Sequence, residues 1–115
     1  MAVFVSNLVI EQGFDFETTF ELEDSTTNEP LDLTGYTVTA QIRKIYTSST
    51  SISLTTEIVD ALTGEVKVSL ASTETSSIKE GRYVYDIKLV SPANPISTIS
   101  KAVEGSVLVR GGVTR

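Results

Sequence analysis

Short segments alternating apolar with polar residues, punctuated by glycine, proline and serine, predict an all-β chain. The expected architecture is an immunoglobulin-like antiparallel β-sandwich of seven to eight strands with one short helical turn, with a small barrel as the alternative. Two further observations agree. Val, Ile and Thr supply 38 of the 115 residues, the bias expected of pleated, half-buried surfaces. The alternation has the character of antiparallel sheets, one face packed and one wet. The two cysteines around a tryptophan that mark antibody domains are missing, so the expectation concerns architecture only.

The elements follow in order. Leu8 and Ile10 make a short strand, and Gly13 marks the turn or bulge after it. From there Phe14, Phe16, Thr18, Phe20 and Leu22 share one face, with Asp15, Glu17, Thr19, Glu21 and Glu23 on the other. Asp24 to Pro30 is polar and reads as a loop. Leu31 to Gly35 leads into the next strand, and Gly35 is expected in a backbone conformation that side chains resist. Tyr36 to Ile42 alternates again, with Tyr36, Val38, Ala40 and Ile42 on the apolar face. A Ser/Thr-rich loop from Tyr46 to Ser51 precedes a strand from Ile52 to Ile58. Asp60 to Gly64 is a hairpin connection, after which Val66, Val68 and Leu70 resume the period. Ser72 to Glu80 lacks period two and is expected to hold one helical turn capped by Gly81.

Arg82 to Val90 turns Tyr83, Tyr85, Ile87 and Leu89 one way. Val84 and Val90 on its other face predict a central position in a sheet. Pro92 to Pro95 is a turn, because proline donates nothing to a central ladder. Ile96 to Val103 and Ser106 to Val109 are the closing strands, with a bulge or bend expected at Glu104 and Gly105. Gly111 to Arg115 reads as a flexible or partner-ordered tail.

Length allows one domain, residues 1–115, with residues 1–6 and 111–115 as candidate docking tails. A chain of 12.4 kDa buries about two thirds of its unfolded surface, enough for one core. The chain has no Cys, His or Trp, so disulfides, thiol nucleophiles, histidine bases and Cys/His zinc sites are excluded, and an enzyme is not expected. No cofactor is expected either. The apolar run Ala2 to Val5 is too short, and without a basic start, for a secretory signal or a spanning helix.

Net charge is −6, which argues against binding to a phosphate backbone. The acids are concentrated early. Met1 to Asp32 holds eight acidic residues and no base, whereas Leu33 to Arg115 holds seven acids against all nine bases. Such polarity suits charge-steered docking, head to tail or onto a partner, although a solvated acidic face is the simpler reading.

Other clusters have plain structural readings. Asp24, Asn28, Glu29 and Asp32 offer oxygen ligands for calcium, but their spacing matches no calcium loop, and Asx side chains bonding local backbone account for them. Glu17 and Glu21 with Asp15 and Glu23 face no second carboxylate bank, as glycoside hydrolysis would need. Of the four tyrosines, Tyr36, Tyr83 and Tyr85 fall on inward positions, leaving Tyr46 as the candidate exposed anchor.

Several phrases together resemble small structural proteins of tailed-phage virions. They are Gly13 to Asp24 with its G-x-x-F strand, Leu31-Asp32-Leu33-Thr34-Gly35, and Ala40-Gln41-Ile42-Arg43. Gly64-Glu65-Val66, Gly81 to Ile87, Val103-Glu104-Gly105 and Val113-Thr114-Arg115 continue the likeness. The first half is also similar to the N-terminal immunoglobulin-like domain of phage upper-baseplate proteins. The resemblance implies a non-enzymatic structural protein of the virion, in tail, baseplate or neck, whose partners are other virion proteins and copies of itself. It implies no nucleic acid, membrane or small-molecule substrate. Apolar ends can extend a neighbour's sheet, so docking is expected through Ala2, Val3, Phe4 and Val5 and through Val107, Val109, Val113 and Arg115. A capsid decoration protein and a host-surface adhesin using the Tyr46 loop are the alternatives.

Overall fold

The computed structural model describes residues 4–23, 29–92 and 98–113. The elements are β1 (Phe4–Val5), β2 (Leu8–Glu11), β3 (Phe16–Glu21), β4 (Thr37–Arg43), β5 (Ile52–Asp60), β6 (Glu65–Leu70), α1 (Ser72–Thr75), β7 (Gly81–Val90) and β8 (Ile99–Arg110). The alternation read from the sequence is the alternation of burial. In β4, Val38, Ala40 and Ile42 are buried between exposed Thr37, Thr39 and Gln41, and β6 buries Val66, Val68 and Leu70.

The strands form two layers joined through β5. In the larger sheet β1 and β2 lie in succession along one edge of β8, followed on its other side by β7, β4 and the start of β5; β7 is central, as its two-sided valines predict. Ile52 to Leu54 pair with Ile42 to Ala40, and from Thr55 onward β5 leaves to pair with β6, which pairs in turn with β3. Where β5 departs, Thr56 Oγ1 donates to the Val38 carbonyl at 2.9 Å and supplies the partner that the ladder no longer provides. The inner faces meet in one core, with Ile10, Ile42, Ile87, Leu89, Val103 and Val107 from one layer and Phe20, Val66, Val68 and Leu70 from the other. The result is an all-β immunoglobulin-like sandwich. Its extents of 48 × 28 × 20 Å account for a surface of 7194 Å², above the roughly 6,000 Å² of a rounder chain of this mass.

Tyr83, near the start of β7, donates its hydroxyl to the carbonyl of Lys79 four residues upstream, at 2.8 Å. This is the tyrosine corner of immunoglobulin-like sandwiches, and it holds the turn between α1 and β7. Lys44 caps the same ring, its Nζ 4.7 Å from the centroid.

Four expectations need correction. First, not every pairing is antiparallel: β1 and β2 both run parallel to β8 in one continuous register, from Phe4 opposite Val103 to Glu11 opposite Arg110. Period two encodes which face is buried, not strand direction. Residues 4–6 are therefore held along the sheet edge, with Ser6 N donating to Glu104 O at 3.0 Å and Asn7 Oδ1 accepting from Ser106 N at 3.1 Å.

Second, the helical turn ends at Ser76, well before Gly81. The hydroxyls of Ser76 and Ser77 donate to the carbonyls of Thr73 and Glu74, closing the turn without a glycine. Its start is held from afar, because Asp15 Oδ1 accepts from Ser72 N at 2.7 Å, and Thr75 Oγ1 accepts from Gly13 N and donates to Phe14 O. Third, the irregularity in β8 is at Ala102: Ile87 faces Val103 but Lys88 faces Lys101, so Ala102 is the extra residue. Glu104 and Gly105 pair regularly with Asp86 and Tyr85. Gly105 is needed for a different reason, since a Cβ there would collide with the Ser6 carbonyl. Fourth, Val107 and Val109 are core residues, on the inward face of β8.

Candidate functional site

The predicted docking residues separate. Val107 and Val109 point into the sandwich, 0% and 2% exposed, because they lie on the inward parity of β8 opposite Tyr83 and Gly81; they belong to the core and not to a docking surface. Phe4 pairs its backbone with Val103. Ala2, Val3 and Arg115 lie outside the described residues, as do Asp24 and Asn28 of the acidic loop. Val113 is 97% exposed and follows Gly112, which lies against the Phe14 ring.

Val5 and Tyr46 come together. Both line an open trough of about 760 Å³ on the outer face of the larger sheet, with Gln41 and Arg43 of β4, Val84 and Asp86 of β7, and Lys101, Glu104 and Gly105 of β8. Val5 reaches it because β1 is laid on the edge of β8, opposite Glu104. Tyr46 reaches it on the β4–β5 loop, which Arg43 organises: its guanidinium donates to the carbonyl of Ser48 at 2.6 Å and of Thr50 at 3.4 Å, and to Gln41 Oε1 at 3.0 Å. The Ser48 hydroxyl oxygen accepts from Ile45 N at 3.2 Å and tightens the turn.

The chemistry of the trough is that of contact. Lys101 lies 3.3 Å from Glu104 and 3.8 Å from Asp86, so one ammonium serves both carboxylates of the floor. Rising from them are Val5, 68% exposed, Val84, and the Tyr46 ring, 86% exposed. A rigid aromatic with aliphatic neighbours and an arginine has the composition of an interface hot spot. Beneath the trough, Tyr85 is buried and donates its hydroxyl to Ser6 O at 2.6 Å; burial pushes its pKa up to about 12.

Val84 was legible in the sequence as an apolar residue on a polar face, but the sequence pointed to strand position rather than to a site. Arg43 carried no signal, since its role depends on a loop that folds back on it. The acidic row of β3 is exposed at Glu17 and Glu21, and Lys67 sits between Glu17 and Glu57 at 3.8 and 3.3 Å. Asp15 leaves that row to hold α1. In the acidic loop, Asp32 accepts from Thr34 Oγ1 and N at 2.6 and 3.0 Å, and these bonds hold its carboxyl below the usual value.

No protein-family model matches this chain, and no curated protein matches it. Among solved structures it is similar to one described as "Structure-based site-directed photo-crosslinking analyses of multimeric cell-adhesive interactions of VGSC beta subunits", at 10% identity over 94% of this chain and 92% of that chain, with a TM-score of 0.43.

Proposed function

We propose that this chain is a non-enzymatic structural protein of a bacteriophage virion, an assembly module of tail, baseplate or neck that docks on neighbouring virion proteins. The phage assignment rests on the resemblance carried by Gly13 to Asp24, Leu31 to Gly35 and Ala40 to Arg43. The docking role is carried by one observation: the fold gathers Val5, Tyr46 and Val84 at one exposed trough over the Lys101–Glu104 and Lys101–Asp86 ion pairs. Apolar and aromatic side chains grouped on the outer face of a sheet are what a protein partner covers. Cryo-electron microscopy of the intact particle tests the reading. Density for the domain with a neighbour seated over Tyr46 supports it, and a particle without the domain overturns it.

An adhesin is the second reading, favoured by the Tyr46 ring standing beside Gln41, Arg43 and Asp86, groups able to hold sugar hydroxyls. A glycan-array signal lost on Tyr46→Ala supports that reading over assembly.

A further inference from the structure

Two arginines on the outer face of the larger sheet and two glutamates on the outer face of the smaller sheet form patches of opposite sign, and Lys88, opposite Thr39, is a further exposed cation of the larger sheet. On the outer face of the larger sheet Arg110 is paired with Glu11, and Lys101 with Asp86 and Glu104. Arg43 donates only to carbonyl and amide oxygens, and neither it nor Arg82 makes an ion pair among the described residues. Because Arg43 pairs across the ladder with Val84, the two arginines are diagonal neighbours around that valine, next to Tyr46.

On the outer face of the smaller sheet Lys67 is taken by Glu17 and Glu57. Glu21 and Glu65 stand directly opposite each other in the β3–β6 ladder with no cation within bridging distance among the described residues. Like charges so placed repel, and nothing in the described chain relieves them. Exposed Val59 and Leu62 stand near the end of β5 and in the connection to β6. One patch is thus two arginines with Tyr46 and Val84; the other is two glutamates in the β3–β6 ladder.

The sandwich itself separates the patches: one lies on the outer face of the β8–β7–β4 layer and the other on the outer face of the β6–β3 layer, so they face in opposite directions. We propose that copies of this chain stack on one another, the Arg43–Arg82 patch of one copy seating on the Glu21–Glu65 patch of the next. The two surfaces differ, so the contact is heterologous and repeats into a ring or a filament instead of stopping at a dimer. The inference rests on the assembly reading and names one partner for it, a second copy.

Sedimentation velocity of the purified chain from about 10 µM to about 1 mM, in about 20 mM and about 500 mM salt, tests it. The expected result is association that grows with concentration and weakens in high salt. Arg82→Glu and Glu65→Lys each weaken it at least about tenfold, with circular dichroism unchanged. An equimolar mixture of the two variants restores association, because each variant's altered patch then meets its opposite. A wild type that stays monomeric throughout, or variants that associate as well as wild type, overturns this association. Docking on other virion proteins is judged separately, by presence of the domain in the particle.

Discussion

Tyr85 donates its hydroxyl to the carbonyl oxygen of Ser6 across 2.6 Å, tying the link between β1 and β2 to the central strand from beneath the trough. That bond fixes the edge on which Val5 is carried. Replacing the tyrosine with phenylalanine leaves a carbonyl without its partner, and Tyr85→Phe is expected to cost about 1–2 kcal/mol in urea unfolding. An unchanged midpoint would show that the link holds without it.

The same residue sets an alkaline limit. Its pKa is raised from 10.0 to about 12 by burial, so the folded chain holds the proton more tightly than the unfolded one. The stability this contributes is complete below pH 10.0 and is lost as pH rises toward about 12. The difference in stability between wild type and Tyr85→Phe should therefore shrink over that interval; a constant difference would contradict the assignment.

Gly105 lets the Ser6 carbonyl lie against β8. Gly105→Ala pushes the link away, at an expected cost of about 1–3 kcal/mol. Hydrogen exchange should show the amides of Ser6 and Leu8 losing protection before those of β4.

Thr75 is the buried polar residue through which α1 is joined to the turn at Gly13. Thr75→Val fills the same space but orphans the Gly13 N–H and the Phe14 carbonyl, and should cost about 2 kcal/mol. Thr75→Ser keeps the hydroxyl and should recover more than half of that loss in thermal unfolding.

Exposed and buried valines should behave oppositely. Val5→Asp and Tyr46→Ala are expected to change stability by less than about 0.5 kcal/mol and, under the proposed virion role, to reduce the copies of this chain per purified particle. Val107→Ala should cost about 2 kcal/mol yet leave incorporation intact for the folded fraction. Wild-type incorporation of the Tyr46 variant would remove the trough from the docking role.

Much of the fold was legible because burial is written residue by residue. The inward sets of β3, β4, β6 and β7 follow from period two alone, and the hairpin at Asp60 to Gly64 from its turn residues. Exclusion of histidine and cysteine chemistry needed only composition. The same local reading placed Val107 and Val109 among docking residues because they stand near a terminus, although their alternation with Ser106 and Leu108 already marked them as one face of a strand.

What the sequence determined by itself is thus the set of strands and which side of each is apolar, since side-chain parity is a property of neighbouring residues. Strand direction, the transfer of β5 between layers, the bulge at Ala102 and the meeting of Val5 with Tyr46 were decided only in three dimensions. Those features depend on hydrogen-bond partners far apart in the chain, as with Ser6 and Tyr85, and no local pattern specifies which distant partner a carbonyl will find.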